Sequence, residues 1–430
     1  MDTKKLLLGC IADDFTGAGD IASFLMKGGL HTILTNGIPD AGDIPSDAQA
    51  AVISLKSRTA PIQEAVEDTL ESIKALESYG CQRFYIKYCS TFDSTPQGNI
   101  GPVLDAVLEY LGERYTILCP SLPVNGRTVK DGILYVNKVP LSESGMKDHP
   151  LTPMWDSRIK MLMKSQSRYP CIELGEQYYR CPEEEVAAYI RGQTEGQVHY
   201  YLVPDYETEE DAKHIIRLFS DLRVMTGGSG LASSYARSLA QEAQDVGGSV
   251  PSVDSRTEGA ALIAAGSISK ATVGQIHFYK EKGLPYYKIC PEALWGRTIT
   301  AGKIWEEIKD IVAEQNEPIL VYCSDSQKDI EKGRELGGYT FAALLERTLA
   351  EVVNIAAENG VRRLIIAGGE TSGAVIKKLG YKTFYVGESA APGVPVLVPH
   401  GADDMRLILK SGNFGQEDFF VRALEMTRRE

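Results

Sequence analysis

The apolar run at residues 6–11 is followed at once by Asp13, Asp14, Phe15, Thr16, Gly17, Ala18, Gly19 and Asp20, and then by Ile21, Ala22, Phe24, Leu25 and Met26 at helical spacing. That pattern reads as a buried strand, a tight turn and a helix. It constrains the fold strongly, because ligands of open α/β sheets bind outside the carboxyl ends of their strands. Two adjacent carboxylates leave such an end here, and glycines behind them admit close approach of a ligand to the backbone. A purely local reading competes: an acid at a helix N-terminus caps it. One side chain suffices for a cap, so the second carboxylate and the glycines favour a substrate site.

The same rhythm recurs along the chain. Strand patterns at 6–11, 31–35, 50–55, 83–88 and 115–119 alternate with helical patterns, clearest at 62–76 and 100–111. Such βαβ alternation predicts a parallel, doubly wound sheet. Polar clusters fall where strands end, at 57–59, 87–94 and 121–130. Residues 120–200 are less regular and broken by prolines, and 141–155 reads as an excursion over the surface. Alternation resumes with strands at 198–203 and 222–225 around a helix at 209–220, and the second strand runs into Thr226-Gly227-Gly228-Ser229-Gly230.

A chain of 430 residues is too long for one ordinary core. Residues 241–259, with Gly247, Gly248, Ser249 and Pro251 and no apolar period, read as a linker. Strand patterns at 261–265, 286–289, 319–322, 364–367 and 384–386, with a helix at 341–355, define a second α/β unit. The expected architecture is two α/β domains, 1–240 and 260–430, each with a mainly parallel sheet flanked by helices.

Charge and cysteine usage exclude several function classes. Lys and Arg number 45 against 58 Asp and Glu, a net charge of −13 with no offsetting basic run. That balance repels nucleic acid and anionic membranes. The eight cysteines form no C-x-x-C pair and the six histidines show no metal-ligand spacing. They read as free thiols in a reducing compartment. No signal-peptide pattern and no apolar run of about 18 residues is present, so a cytoplasmic protein is expected.

Three glycine- and hydroxyl-rich turns follow strands in the second unit: 266–270, 368–373 and 410–415. Backbone N–H groups at such helix starts favour an anion. The spacing is neither that of a P-loop nor that of a dinucleotide fingerprint. In the first unit Asp13 and Asp14 would repel a pyrophosphate, so a polyol or sugar acid is expected there. Its hydroxyls suit the carboxylates, and its own carboxylate suits Arg58 and Lys87. Residues 85–95 are dense in donors and acceptors. A solvated loop with Asx and Ser/Thr turns would explain them, but Lys87 ends a strand that should be buried. Cys89 beside it is a candidate low-pKa thiol, although nothing else resembles thiol chemistry.

These segments resemble the four-carbon acid sugar kinases over nearly the whole chain. The resemblance is carried by 11–18, 54–58, 87–95, 98–103, 122–128, 226–232, 367–373 and 409–415, and the wording of 87–95 is similar to the 3-oxo-tetronate kinase branch. The resemblance implies an N-terminal sugar-acid domain, a C-terminal nucleotide domain, ATP with Mg²⁺, and an active site in the cleft between domains that close about 241–259. The ATP contacts it implies are Ser267, Gly368, Gly369, Glu370, Thr371 and Gly412. Ile268 replaces the family's cysteine, so Ser267 and Ser269 both stay candidates. For the acid the expected residues are Asp13, Asp14, Arg58, Lys87, Ser90 and Asp93, with Asp14 or Asp93 orienting or deprotonating the 4-hydroxyl and Lys87 assisting. No metal ligand is assigned. The expected partners are a small-molecule sugar acid and a second copy of the chain. Rival readings are a threonate or erythronate kinase and a non-catalytic sugar-acid and nucleotide sensor.

Overall fold

The computed structural model describes residues 6–148, 152–244, 253–314 and 317–429. The chain divides into two compact units, 1–251 and 252–430. The division falls inside the stretch read as a linker, of which 245–252 lie outside the described residues. Residues 149–151 of the expected surface excursion lie outside them too.

The first unit holds β1 (Leu8–Ala12), β2 (Thr32–Asn36), β3 (Ala50–Ser54), β4 (Phe84–Lys87), β5 (Tyr115–Cys119), β6 (Arg127–Lys130), β7 (Ile133–Val136), β8 (Val139–Pro140), β9 (Cys171–Leu174), β10 (Tyr200–Pro204) and β11 (Val224–Gly227). Eight of these form a wholly parallel sheet in the order β2-β3-β1-β4-β11-β5-β10-β9. β1, β3, β4 and β10 are buried along their whole length. This is why they read as unbroken apolar runs rather than alternating ones. Helices lie against the sheet tightly: a Cβ at Gly9 in β1 would come within 2.7 Å of Leu76 Cδ1 on the helix Ile62–Ser78. The chain lays down β2 and β3 on one side of β1, then crosses to place β4 on the other. The carboxyl ends of β1 and β4 therefore flank a topological switch point, where a crevice opens.

β6, β7 and β8 form a small antiparallel ribbon inside the segment that looked irregular. Its first turn is Asp131-Gly132, with φ of 50° and 71°, and its second is Asn137-Lys138, with φ of 51° and 68°. Both are two-residue turns whose paired positive φ values suit the twist of a hairpin. The strands are only four, four and two residues long, too short for periodicity to register.

The second unit holds β12 (Ala261–Ala265), β13 (Tyr286–Lys288), β14 (Ile319–Tyr322), β15 (Arg363–Ala367), β16 (Thr383–Ala391), β17 (Val394–Pro399) and β18 (Arg406–Lys410). The order is β13-β14-β12-β15-β18-β17-β16, parallel from β13 to β18 and antiparallel beyond. β17 was not anticipated. It carries Pro395 and Pro399, which an antiparallel hairpin tolerates where no ladder donor is needed. The chain builds β13 and β14 on one side of β12 and then β15 on the other, so this unit has its own switch point between β12 and β15.

Candidate active site

In the first unit the switch point is lined by charge. Asp14 is the N-cap of the helix Phe15–Lys27, its Oδ1 accepting from Gly17 N at 2.9 Å and its Oδ2 from the Thr16 hydroxyl at 2.7 Å. The capping reading was thus right for one of the two carboxylates. Asp13 instead takes a bidentate pair from Arg58, Nε to Oδ2 and Nη2 to Oδ1, both 2.8 Å, while Nη2 also reaches Asp14 Oδ1 at 2.7 Å. Backbone bonds fix the same corner: Asp13 N donates to Lys87 O, and Ser57 N and Arg58 N donate to Asp13 O.

Lys87 ends β4 with only 3% of its surface exposed, its Nζ donating to Tyr88 O at 2.9 Å. A Cβ on Gly17 would lie 3.2 Å from that Nζ and 2.3 Å from Asp14 Oδ1, so glycine there lets the ammonium and the carboxylate share one corner. Burial pushes the Asp13 carboxyl up, with Arg58 pulling against it. Burial acts on Asp14 too, but Arg58 and Lys87 outweigh it and hold that carboxyl below its usual range. A cavity of about 30 Å³ lies behind Asp13, Ser57, Lys87, Tyr88 and Asn99, room for water rather than for a substrate.

The loop after β4 carries Ser90, which is half-buried, and Asp93, whose Oδ1 accepts from the Thr91 hydroxyl at 2.7 Å. Phe92 and Asp93 take φ of 64° and 34°. Two successive left-handed non-glycine residues are strained, and such strain clusters at functional sites. Cys89 bonds Thr91 Oγ1 at 3.1 Å, and burial pushes its thiol up to about 12. That environment is the reverse of one that activates a thiol, so the low-pKa reading of Cys89 is corrected.

The second unit builds its switch point from backbone and hydroxyls. Ser269 caps the helix Lys270–Glu281 and donates to Gly412 O at 2.5 Å; Ser267 Oγ accepts from Ser269 N at 3.2 Å. Gly266 N and Ser267 N bond Ala367 O, and Gly368 N bonds Lys410 O. The three glycine turns, of which the first and last meet across 143 residues of chain, thus form one surface at the ends of β12, β15 and β18. Gly368, at φ 129°, opens the helix Gly369–Leu379, where Gly369 and Glu370 are exposed and Thr371 is buried. A Cβ on Gly412 would stand 2.4 Å from Ser267 Oγ, and one on Gly266 2.2 Å from Thr371 Oγ1. Converging helix starts of this kind supply N–H donors for a polyphosphate. Among the described residues no three His, Cys, Asp or Glu side chains converge to hold a metal.

Three residues outside the expected set join these crevices. Asp20, 5% exposed, accepts from the Ser229 hydroxyl, and burial pushes its carboxyl up despite Lys87 and Ser229. Its signal was an acid on the apolar face of a helix. Arg127, at the start of β6, donates through Nη1 to Asn125 O. Lys410 is fully buried at the end of β18, donating to Thr272 Oγ1 at 2.9 Å and to Ser411 O and Gly412 O. Burial brings its ammonium down to about 7. The argument that singled out Lys87, a lysine ending a buried strand, applies equally to it.

The two crevices differ in chemistry as a sugar-acid site and a nucleotide site would, and comparison with known proteins falls along the same line. A family model described as a sugar-binding N-terminal domain matches residues 8–235, and one described as a nucleotide-binding C-terminal domain matches 262–420. The chain belongs to this two-domain kinase family. Relatives named 3-oxo-tetronate kinase include one from Pseudomonas fluorescens, 41% identical over 99% of this chain and 98% of its own. Another, from Brucella melitensis, is 41% identical over 98% and 96%. A crystal structure of a Haemophilus influenzae protein is 38% identical with a TM-score of 0.81, covering 97% of this chain and 99% of that one. A Salmonella typhimurium LT2 protein, solved under the provisional name of a tRNA synthase, is 38% identical with a TM-score of 0.87 over 98% and 99%. Among the described residues no helix is long and apolar enough to cross a membrane.

Proposed function

We propose that this protein is an ATP-dependent kinase that phosphorylates the 4-hydroxyl of 3-oxo-tetronate. The reading rests above all on full-length relatives of that name, with a charged crevice in one unit and a glycine-lined one in the other. The first unit takes the acid and the second takes ATP. Ser267, Ser269, Gly368, Gly369, Glu370, Thr371 and Gly412 hold the nucleotide through backbone N–H groups and hydroxyls. Mg²⁺ would enter with it and neutralise phosphate charge; such an ion is commonly held by substrate phosphates, waters and one or two carboxylates. Bound ATP supplies the phosphoryl group, and phosphoryl transfer asks the protein mainly for positioning and charge neutralisation.

Lys87 supplies fixed positive charge at the acid site, with Asp13, Asp14 and Ser90 orienting hydroxyls. Of the two candidate bases, Asp93 suits the role better. Asp14 already accepts from Thr16, Gly17 and Arg58 and is held below its usual range. Among the described residues Asp93 is hydrogen-bonded through Oδ1 alone, on a loop with left-handed backbone at Phe92 and Asp93. The net charge of −13 disfavours a tRNA substrate.

ADP release, measured with a panel of four-carbon acids and Mg²⁺, tests the reading. Turnover is expected with 3-oxo-tetronate and weaker turnover with threonate and erythronate. No ADP release with any acid at millimolar concentration would refute it, and a preference for threonate would move the protein to the neighbouring substrate. Asp93→Asn should lower kcat more than Asp14→Asn if the assignment of the base is right.

A further inference from the structure

Arg58, the arginine that the sequence nominates for the substrate carboxylate, makes three hydrogen bonds to Asp13 and Asp14. A second arginine is placed differently. Among the described residues Arg127 is anchored at one end only, through Nη1 to Asn125 O. Its Nε is shut away from solvent with no hydrogen-bond partner among the described residues. The Nε–Nη2 edge of a guanidinium is a planar pair of donors that matches a carboxylate bidentately.

Asp20 shows the complementary defect. One of its oxygens accepts from Ser229, while Oδ1 is buried without a partner among the described residues. Ser229 bonds Asp20, a Cβ on the next residue, Gly230, would stand 2.2 Å from Ser121 O, and Leu122 pairs with Arg127, so the two incomplete groups belong to one locality. A buried donor and a buried acceptor left unpaired are each unfavourable. A ligand presenting an acceptor next to a donor completes both.

We propose that Arg127 and Asp20 form the recognition end of the acid site, with the Nε edge of Arg127 binding the substrate carboxylate and Asp20 Oδ1 accepting from the neighbouring 2-hydroxyl. The inference rests on the kinase reading and deepens it. The ligand class is an α-hydroxy carboxylate, a feature common to four-carbon sugar acids that differ at carbon 3. Arg58 then acts as a positioning residue that holds the two aspartates.

The test reads binding rather than turnover, so its failure and that of the kinase reading are separable. Calorimetry without nucleotide compares threonate, 2-deoxy-threonate and neutral threitol on wild type, Arg127→Met, Arg127→Lys and Asp20→Asn. Wild type should prefer threonate to threitol, and Arg127→Met should weaken threonate about 50-fold. Arg127→Lys should recover part of that loss, because charge returns without the fork. Asp20→Asn should weaken threonate about 10-fold and 2-deoxy-threonate hardly at all. An ATP-induced thermal shift that persists in each variant certifies folding. Threonate affinity within twofold of wild type in Arg127→Met, or equal losses for both acids in Asp20→Asn, would overturn the assignment. So would wild type that fails to distinguish threonate from threitol.

Discussion

The two switch points of this chain solve the same topological problem with opposite materials. Around Asp13 the groups that line the crevice are charged side chains, three carboxylates and three cations from the ends of β1, β3, β4 and the elements beyond. Around Gly368 they are glycines, serines and threonines, with a single buried lysine behind them. The difference follows from ligand size and charge. A polyphosphate carries enough charge to be held by many weak, fixed dipoles, and those need backbone close to the ligand. A four-carbon acid offers one charge and a few hydroxyls, so each contact must be stronger and directional.

Substitutions can break this contrast. Lys87→Met should be the most severe: kcat/KM for the acid should fall about 10³-fold, the loss expected when a fixed charge leaves a closed site, while the KM for ATP stays unchanged. A comparable loss in ATP affinity would show that the two crevices are not chemically separate. Arg58→Met comes next. It strands two carboxylates that are largely buried, and denaturant unfolding should show about 3 kcal/mol lost. Arg58→Lys should recover less than half of it, because a lysine cannot span both aspartates.

Gly412→Ala sharpens the other side. A methyl group 2.4 Å from Ser267 Oγ and 3.0 Å from Ser269 Oγ makes those hydroxyls shift, which costs about 1–2 kcal/mol. The KM for ATP should rise about 30-fold and acid binding stay as it was. The smallest effect concerns pH. Lys410 is brought down to about 7 in the folded chain against 10.5 when unfolded. Between those values the unfolded chain holds the extra proton, so this lysine makes stability rise with pH across that window and contributes no slope below it. Thermal unfolding should show wild type gaining about 1–2 kcal/mol on Lys410→Met between pH 7 and 9. A constant difference would mean that Lys410 stays charged when folded.

Much of the fold was legible because its signals are local. β5, β12 and β14 match the expected 115–119, 261–265 and 319–322 residue for residue. Long apolar runs between glycine turns admit few other readings. The ribbon β6-β7-β8 was not anticipated: its strands are two to four residues long and lie in a stretch broken by prolines. β17 was not anticipated; its prolines lower strand propensity, which an antiparallel partner tolerates.

The candidate site was half legible. The acids at the end of β1, Lys87 and the three glycine turns stood out because each follows a strand directly. Asp20 and Arg127 did not. One lies in the middle of a helix and the other beyond a turn of 3₁₀ geometry, and only the tertiary fold brings Asp20 to Ser229 and Arg127 beside Leu122.

By itself the sequence determined where strands end and helices begin, and which polar groups stand at those ends, because hydrophobic period and turn chemistry act over a few residues. Tertiary structure decided which of those groups answer one another. Arg58 is 45 residues from Asp13, and Ser269 is 143 from Gly412; no local period encodes such pairings. They arise when β1 is inserted between β3 and β4, and β15 between β12 and β18. That order is chosen by packing of the whole sheet, and it turns one arginine into a brace for two aspartates while leaving another with a donor unmet.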